Sequence, residues 1–128
     1  MRDLAVGSAI PSQTYVINRQ TLIDYANASG DQNPIHQNEE FAKSVGLPDV
    51  IAHGMLTMAL ASRFVAQWAG DVSKVKEFSA RFTKPVVVPA GVDVELVVSA
   101  VIDEVTARSV TLDITAECAG IKIGRAHV

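Results

Sequence analysis

The chain has 128 residues, 48% of them apolar, and its 11 basic and 14 acidic side chains leave a formal net charge of -3. That length and apolar share suit one domain with a real core, and mild acidity without a basic run excludes the electrostatic footprint of a nucleic-acid binder. The longest apolar run, Val50 to Ser62, falls short of the roughly 20 residues that cross a bilayer, the first residues carry no apolar stretch of signal-peptide length, and the single cysteine, Cys118, permits no intramolecular disulfide, so a cytoplasmic protein without membrane or nucleic-acid partners is expected.

In chain order, the β-branched and aromatic residues of Gln13 to Ile17 predict a short strand at a sheet edge, after the loop residues Gly7, Ser8 and Pro11. Asn18 predicts the cap of a helix from Arg19 to about Ala28, with Leu22, Tyr25, Ala26 and Ser29 on one face and Gly30 as its stop. Asn38 followed by Glu39 and Glu40 opens a second, short helix, which Gly46 and Pro48 close. From Gly54 to about Ala69, Met55, Leu56, Met58, Ala59, Leu60, Ala61, Phe64, Val65 and Trp68 leave almost no polar face. A helix apolar nearly all round is expected to be surrounded by other structure; Gly70 and Asp71 end it.

Beyond that helix the period changes to two. Phe78, Ala80 and Phe82 alternate with polar residues, and Pro85 to Gly91 reads as a proline-bracketed connection. Val92 to Asp103 and Ser109 to Cys118 then alternate apolar with polar positions across a turn at Asp103 to Arg108, and Ile121 to Val128 supplies a last strand after Gly120. Cys118 falls on an apolar strand face, where a small buried thiol is expected. One buried helix and a later antiparallel meander predict an α+β fold, a single domain over residues 1–128 with a sheet curled around the long helix.

The chemistry concentrates in Ser29-Gly30-Asp31-Gln32-Asn33-Pro34-Ile35-His36, where an acid, an amide and an imidazole share eight residues whose glycine and proline suit a fixed turn. Ala52-His53-Gly54 then leads into the long helix, whose positive end lies beside Gly54. A carboxylate and an imidazole can move protons, and a helix N-terminus can receive developing negative charge.

These residues carry a resemblance. Tyr25 through His36, then Ala42, Gly46, Leu47 and Ile51-Ala52-His53-Gly54-Met55-Leu56, resemble the hydratase motif of the MaoC-like (R)-specific enoyl-thioester hydratases, in register through Ser62. The order of the later strands is similar to that family's hot-dog fold. Among single-domain members the likeness extends to the catalytic subunit of the mycobacterial type II fatty-acid-synthase dehydratase, in which Ala-His-Gly-Met-Leu-Thr-Met recurs. The resemblance implies syn addition of water to a trans-2-enoyl thioester of coenzyme A or acyl carrier protein, giving the (3R)-3-hydroxyacyl product, or the reverse dehydration. It implies Asp31 and His36 as the proton-moving pair, in either assignment of roles, and the Gly54 N–H as donor to the thioester oxygen, with no cofactor. It also implies at least a dimer, of identical copies or with a related hot-dog subunit.

Around that pair, Asn33 is expected to brace the loop, His53 to position rather than carry protons, and Ser62 either to bond its own helix or to orient the active groups. Met55 and Met58 read as core or interface, with an acyl-binding role as the alternative. Arg63, Arg81, Lys84, Lys122 and Arg125 are surface charges or contacts for a carrier's phosphates. Asp31, His36 and His53 could suggest a metal, but no cysteine joins them and no ligand geometry is settled, so none is expected. A non-catalytic hot-dog partner subunit and a hot-dog acyl thioesterase are the competing functions.

Overall fold

Alternation along two consecutive segments builds the middle of a five-stranded antiparallel sheet in the computed structural model, which describes residues 5–70, 72–82, 84–118 and 121–127. The strands are β1 (Ala9–Ile17), β2 (Ser79–Phe82), β3 (Val94–Val105), β4 (Val110–Cys118) and β5 (Ile121–His127), in spatial order β1-β3-β4-β5-β2. On β3 and β4 every second residue is buried: Leu96, Val98, Ala100 and Ile102 on one strand, Leu112, Ile114, Ala116 and Cys118 on the other. Against this face lies α3 (Gly54–Ala69), whose Leu56, Ala61, Phe64 and Val65 join the same core cluster, together with Ile17 of β1 and Leu22 of α1 (Arg19–Ser29). Each large apolar side chain so buried contributes about 1.5–3 kcal/mol. The fold is the expected hot-dog: a mixed architecture of an antiparallel sheet and one long central helix.

Helix punctuation follows the sequence closely. Asn18 caps α1 by accepting from the Thr21 N–H, and Gly30 ends it in the left-handed region at φ 83°. Asn38 caps α2 (Glu39–Ser44) through the Phe41 N–H, and Gly70 closes α3 at φ 84°.

Several expectations need correction. The first strand begins at Ala9 rather than Gln13, because a bulge between Ile10 and Gln13 lets Pro11 sit in an edge strand without a ladder donor. Ser29, placed on the buried face of α1, is exposed, since it lies in the fraying last turn. Val92 is 46% exposed and precedes β3, which runs on to Val105, so the turn narrows to Thr106–Ser109. The long helix, expected to be surrounded by other structure, is covered only in part by its own chain, as an expected dimer allows: Met55 is 62% exposed and Ala59 is exposed, while Thr57 is buried. The connection at Pro85–Gly91 is also more than a connection, as Val86 and Val88 are buried and Val87 bridges to Ile51. Asp71, Thr83, Gly120 and Val128 lie outside the described residues, as do the side chains of Arg125 and His127.

Candidate active site

From the end of α1 the chain folds by short-range bonds that its own polar side chains supply. The Asp31 N–H donates to Ser29 Oγ, the Asn33 N–H to Asp31 Oδ1 and the Ile35 N–H to Asn33 Oδ1, each at 3.2 Å. Pro34 then opens a single 3-10 turn, Pro34–His36, where its missing N–H costs nothing. Asn33 therefore braces the loop as expected. One carboxylate oxygen of Asp31 is spent on the turn; the other, Oδ2, is left to face His36.

His36 is 7% exposed, and its Nδ1 lies 2.8 Å from the Ile51 carbonyl oxygen. A carbonyl only accepts, so Nδ1 carries a proton and Nε2 is the nitrogen left for proton exchange, a lone pair in the neutral ring and a donor in the charged one. Nε2 stands 4.0 Å from Asp31 Oδ2. Two atoms that each hydrogen-bond one water at about 2.7–2.8 Å, with an angle of about 95–110° between them, stand about 4 to 4.6 Å apart. The pair is thus spaced for a shared water.

The carbonyl that orients His36 is itself held in place. Ile51 donates to Ile35 O, Ala52 donates to Val86 O, and Val88 donates to Val50 O, so residues 50–52 run antiparallel to 86–88. Arg19 ties the arrangement together: its Nε donates to Val88 O at 2.6 Å and its guanidinium reaches Asp49 at 2.8 Å. Neither Arg19 nor the Val86–Val88 segment was apparent as part of a site in the sequence. Three β-branched residues between prolines were a strand signal, but nothing local named their partner.

His53, 1% exposed, occupies the cap position of α3 without capping it. Its Nε2–H donates to the Asp31 carbonyl oxygen at 3.2 Å. Its ring stacks on His36, with centroids 3.8 Å apart and planes 23° from parallel, and meets Tyr25 edge-on at 4.7 Å. Tyr25, read from the sequence as a helix-face residue at the start of the motif, is therefore a wall of the site. Burial pushes the His53 pKa below the ordinary imidazole value and His36 adds to the shift, while the Asp31 carbonyl and carboxylate act in the opposite direction. Burial thus favours the neutral ring at His53.

Asp31, His36 and His53 offer ligand atoms within 4.8 Å of one another. Stacked imidazoles, however, direct their in-plane lone pairs side by side rather than at a common point, and one nitrogen of each ring is already bonded to a backbone carbonyl. The arrangement fits proton transfer better than metal ligation.

Gly54, next to His53, is the first residue of α3, and its N–H has no acceptor among the described residues. A Cβ added there would meet no protein atom within 4 Å. Its φ is not in the left-handed region, so the backbone conformation does not itself require a glycine there. Met55 is exposed beside it, and Met58 is half-buried one turn on. Ser62 is half-buried eight residues further along the helix, about 12 Å of axis, and among the described residues no hydrogen bond joins it to Asp31 or His36. The expected cluster is thus assembled at Asp31, Asn33, His36, His53 and Gly54.

The profile of the MaoC like domain matches residues 5–118. This chain belongs to that family. It is 46% identical over 80 residues to 3-hydroxyacyl-thioester dehydratase X of Mycobacterium tuberculosis, a match covering 62% of this chain and 28% of that one. It is 43% identical over 56 residues to the peroxisomal enoyl-CoA hydratase 2 of Arabidopsis thaliana, covering 42% of this chain and 18% of the relative. Among solved structures, a MaoC-like dehydratase superposes with a TM-score of 0.92 at 37% identity, over 98% of this chain and 40% of that one. The R-hydratase PhaJ1 of Pseudomonas aeruginosa superposes at 0.82 with 28% identity, over 97% and 79%. The matches to the two sequence relatives thus span less than a third of each.

Proposed function

We propose that this chain, acting as a single domain, catalyses the reversible hydration of trans-2-enoyl thioesters to (3R)-3-hydroxyacyl thioesters. The observation that carries this reading is the Asp31–His36 pair, 4.0 Å apart beside the open N-terminus of α3. Water is a poor nucleophile toward the β-carbon, so it must lose a proton as its oxygen bonds there; the α-carbon must gain one as the double bond is lost. One of Asp31 and His36 takes the water proton as base while the other, protonated on entering the step, gives its proton to the α-carbon, and the Gly54 N–H donates to the thioester oxygen as charge builds on it. The names of relatives favour the same chemistry: one is an enoyl-CoA hydratase, another a 3-hydroxyacyl-thioester dehydratase, a third an R-hydratase.

The test is hydration of crotonyl-CoA and longer enoyl thioesters, followed by chiral analysis. A (3R) product is expected; a (3S) product, or free thiol released from a saturated acyl-CoA instead of hydration, overturns the reading. Matched CoA and carrier-protein thioesters then decide the carrier, with the dehydratase relative favouring the hydroxyacyl direction.

The working unit is at least a dimer, formed by two copies or by this chain with a related hot-dog subunit. Support comes from α3, whose Met55 and Ala59 are left uncovered, and from the short strand β2, which ends the sheet with unpaired backbone groups. Ala59 is a contact residue in this reading, whereas Ala61 is 4% exposed within the chain's own core. Light scattering that finds an active monomer of 13.6 kDa refutes the assembly.

A further inference from the structure

His53 is more tightly constrained than a space-filling ring requires. It is 1% exposed, it donates through Nε2 to the backbone of one member of the proton-moving pair, and it stacks on the ring of the other. Its remaining nitrogen, Nδ1, is buried and has no hydrogen-bond partner among the described residues. An unpaired buried acceptor normally costs about 1–3 kcal/mol, and the cap position offers an alternative, because N–H groups of the first helical turn lie nearby. A ring flipped or shifted to cap α3 through Nδ1 would lose the bond to Asp31 or the stack on His36. The arrangement gives up local satisfaction for both contacts.

We propose that His53 is a positioning residue held as the neutral Nε2–H tautomer, coupling the Asp31 peptide to the His36 ring and presenting a neutral π face to His36 when that ring is charged. The coupling acts on geometry through Asp31: the carbonyl held by His53 belongs to the residue whose carboxylate faces His36, so a shift of that peptide changes the 4.0 Å separation. It acts on charge through the stack. A neutral aromatic face within about 6 Å attracts a cation, whereas a second imidazolium at 3.8 Å would repel it. The groups facing His53 are His36 on its stacked face, Tyr25 on its edge and Asp31 at Nε2; among the described residues Nδ1 meets no acceptor that would favour the other tautomer.

This inference rests on the hydratase reading for its kinetic consequence but not for its structural one, and the experiment separates them. Nitrogen-15 NMR of the unmodified protein at pH 7.5 should show one histidine with a protonated Nε2 and an unprotonated, weakly hydrogen-bonded Nδ1, with the signal assigned by its loss in His53→Gln. A protonated Nδ1 overturns the proposal whether or not the protein hydrates enoyl thioesters. If wild type is active, His53→Gln, whose amide nitrogen reaches the Nε2 position, should keep more of kcat than His53→Ala. His53→Ala should lose about 10-fold or more, with KM changed less than 3-fold. Equal kcat in the two folded variants, or a loss confined to KM, also overturns it. Should His53→Ala fail to fold, the tautomer assignment and the His53→Gln kinetics still decide.

Discussion

The β3–β4 ladder and the Ser29–His36 loop stand at opposite ends of one design. The ladder is long: seven Cα pairs in one register and two more beyond a bulge after Ile102, one face buried, a four-residue turn. Any one of its residues is replaceable by another of similar volume at modest cost. The loop has no ladder, leaves Asp31 half exposed, and depends on bonds from side chains of its own residues and from the backbone of 50–52. Stability resides mainly in the first and the proposed chemistry in the second, and α1, α3 and the paired segment 86–88 join them. A functional group can therefore remain solvent-accessible on a loop without the core having to open.

That division can be broken by substitution. The largest effect should be Asp31→Asn, which keeps Oδ1 as acceptor for the Asn33 N–H and so spares the turn, yet removes the proton-handling carboxylate. A loss in kcat of at least ~10²-fold with an unchanged melting midpoint is expected. Near-normal turnover in the folded variant would sink the mechanism. Gly54→Pro should follow, because proline is tolerated at a first helical position but lacks the N–H; losing one such donor lowers kcat by roughly 10²–10³-fold. Gly54→Ala should leave stability intact, as its methyl meets no protein atom within 4 Å, and reduce turnover less, by crowding substrate. If the proline variant works as well as the alanine variant, the thioester oxygen is bound elsewhere.

On the ladder side, Ile114→Ala, at 1% exposure, should cost about 2–5 kcal/mol in denaturant unfolding, while kcat per folded molecule stays close to wild type. A kcat that falls with stability would show that the site and the ladder are not separable. A smaller effect should appear in the pH dependence of stability. Burial favours the neutral form of His53, so the folded state binds fewer protons than the unfolded one between the lowered pKa and the ordinary value of about 6.5. The contribution is complete above about 6.5 and is lost as pH falls through that window. Melting midpoints from pH 7.5 to 5 should decline less steeply in His53→Gln; parallel curves would assign the slope to other groups. The smallest effect belongs to Lys43→Ala, which breaks the surface pair with Glu39 and should leave both the midpoint and the rate unchanged within error.

How much was legible followed from the range of the interactions. Asn18, Asn38, Gly30 and Gly70 announce helix ends because capping is settled within four residues, and all four behave as expected. Alternation announces β3 and β4 because period two marks a half-buried strand whatever its neighbours are. The boundaries at Ala9 and Val94 were missed because pairing with another strand, including a bulge around Pro11, set them.

The sequence by itself thus determined the α+β class, the hot-dog likeness, the turn that carries Asp31, Asn33 and His36, and a helix beginning at Gly54, since each rests on local backbone preference, apolar period or a motif of fixed spacing. Only the tertiary structure decided that Ile51 orients His36, that His53 reaches back to Asp31, that Tyr25 walls the pair, and that Val86–Val88 and Arg19 hold the segment between them. Those contacts join residues 15 to 69 positions apart, and no local pattern encodes which carbonyl a buried imidazole will meet. That is settled when the core closes and each buried donor takes the acceptor within reach.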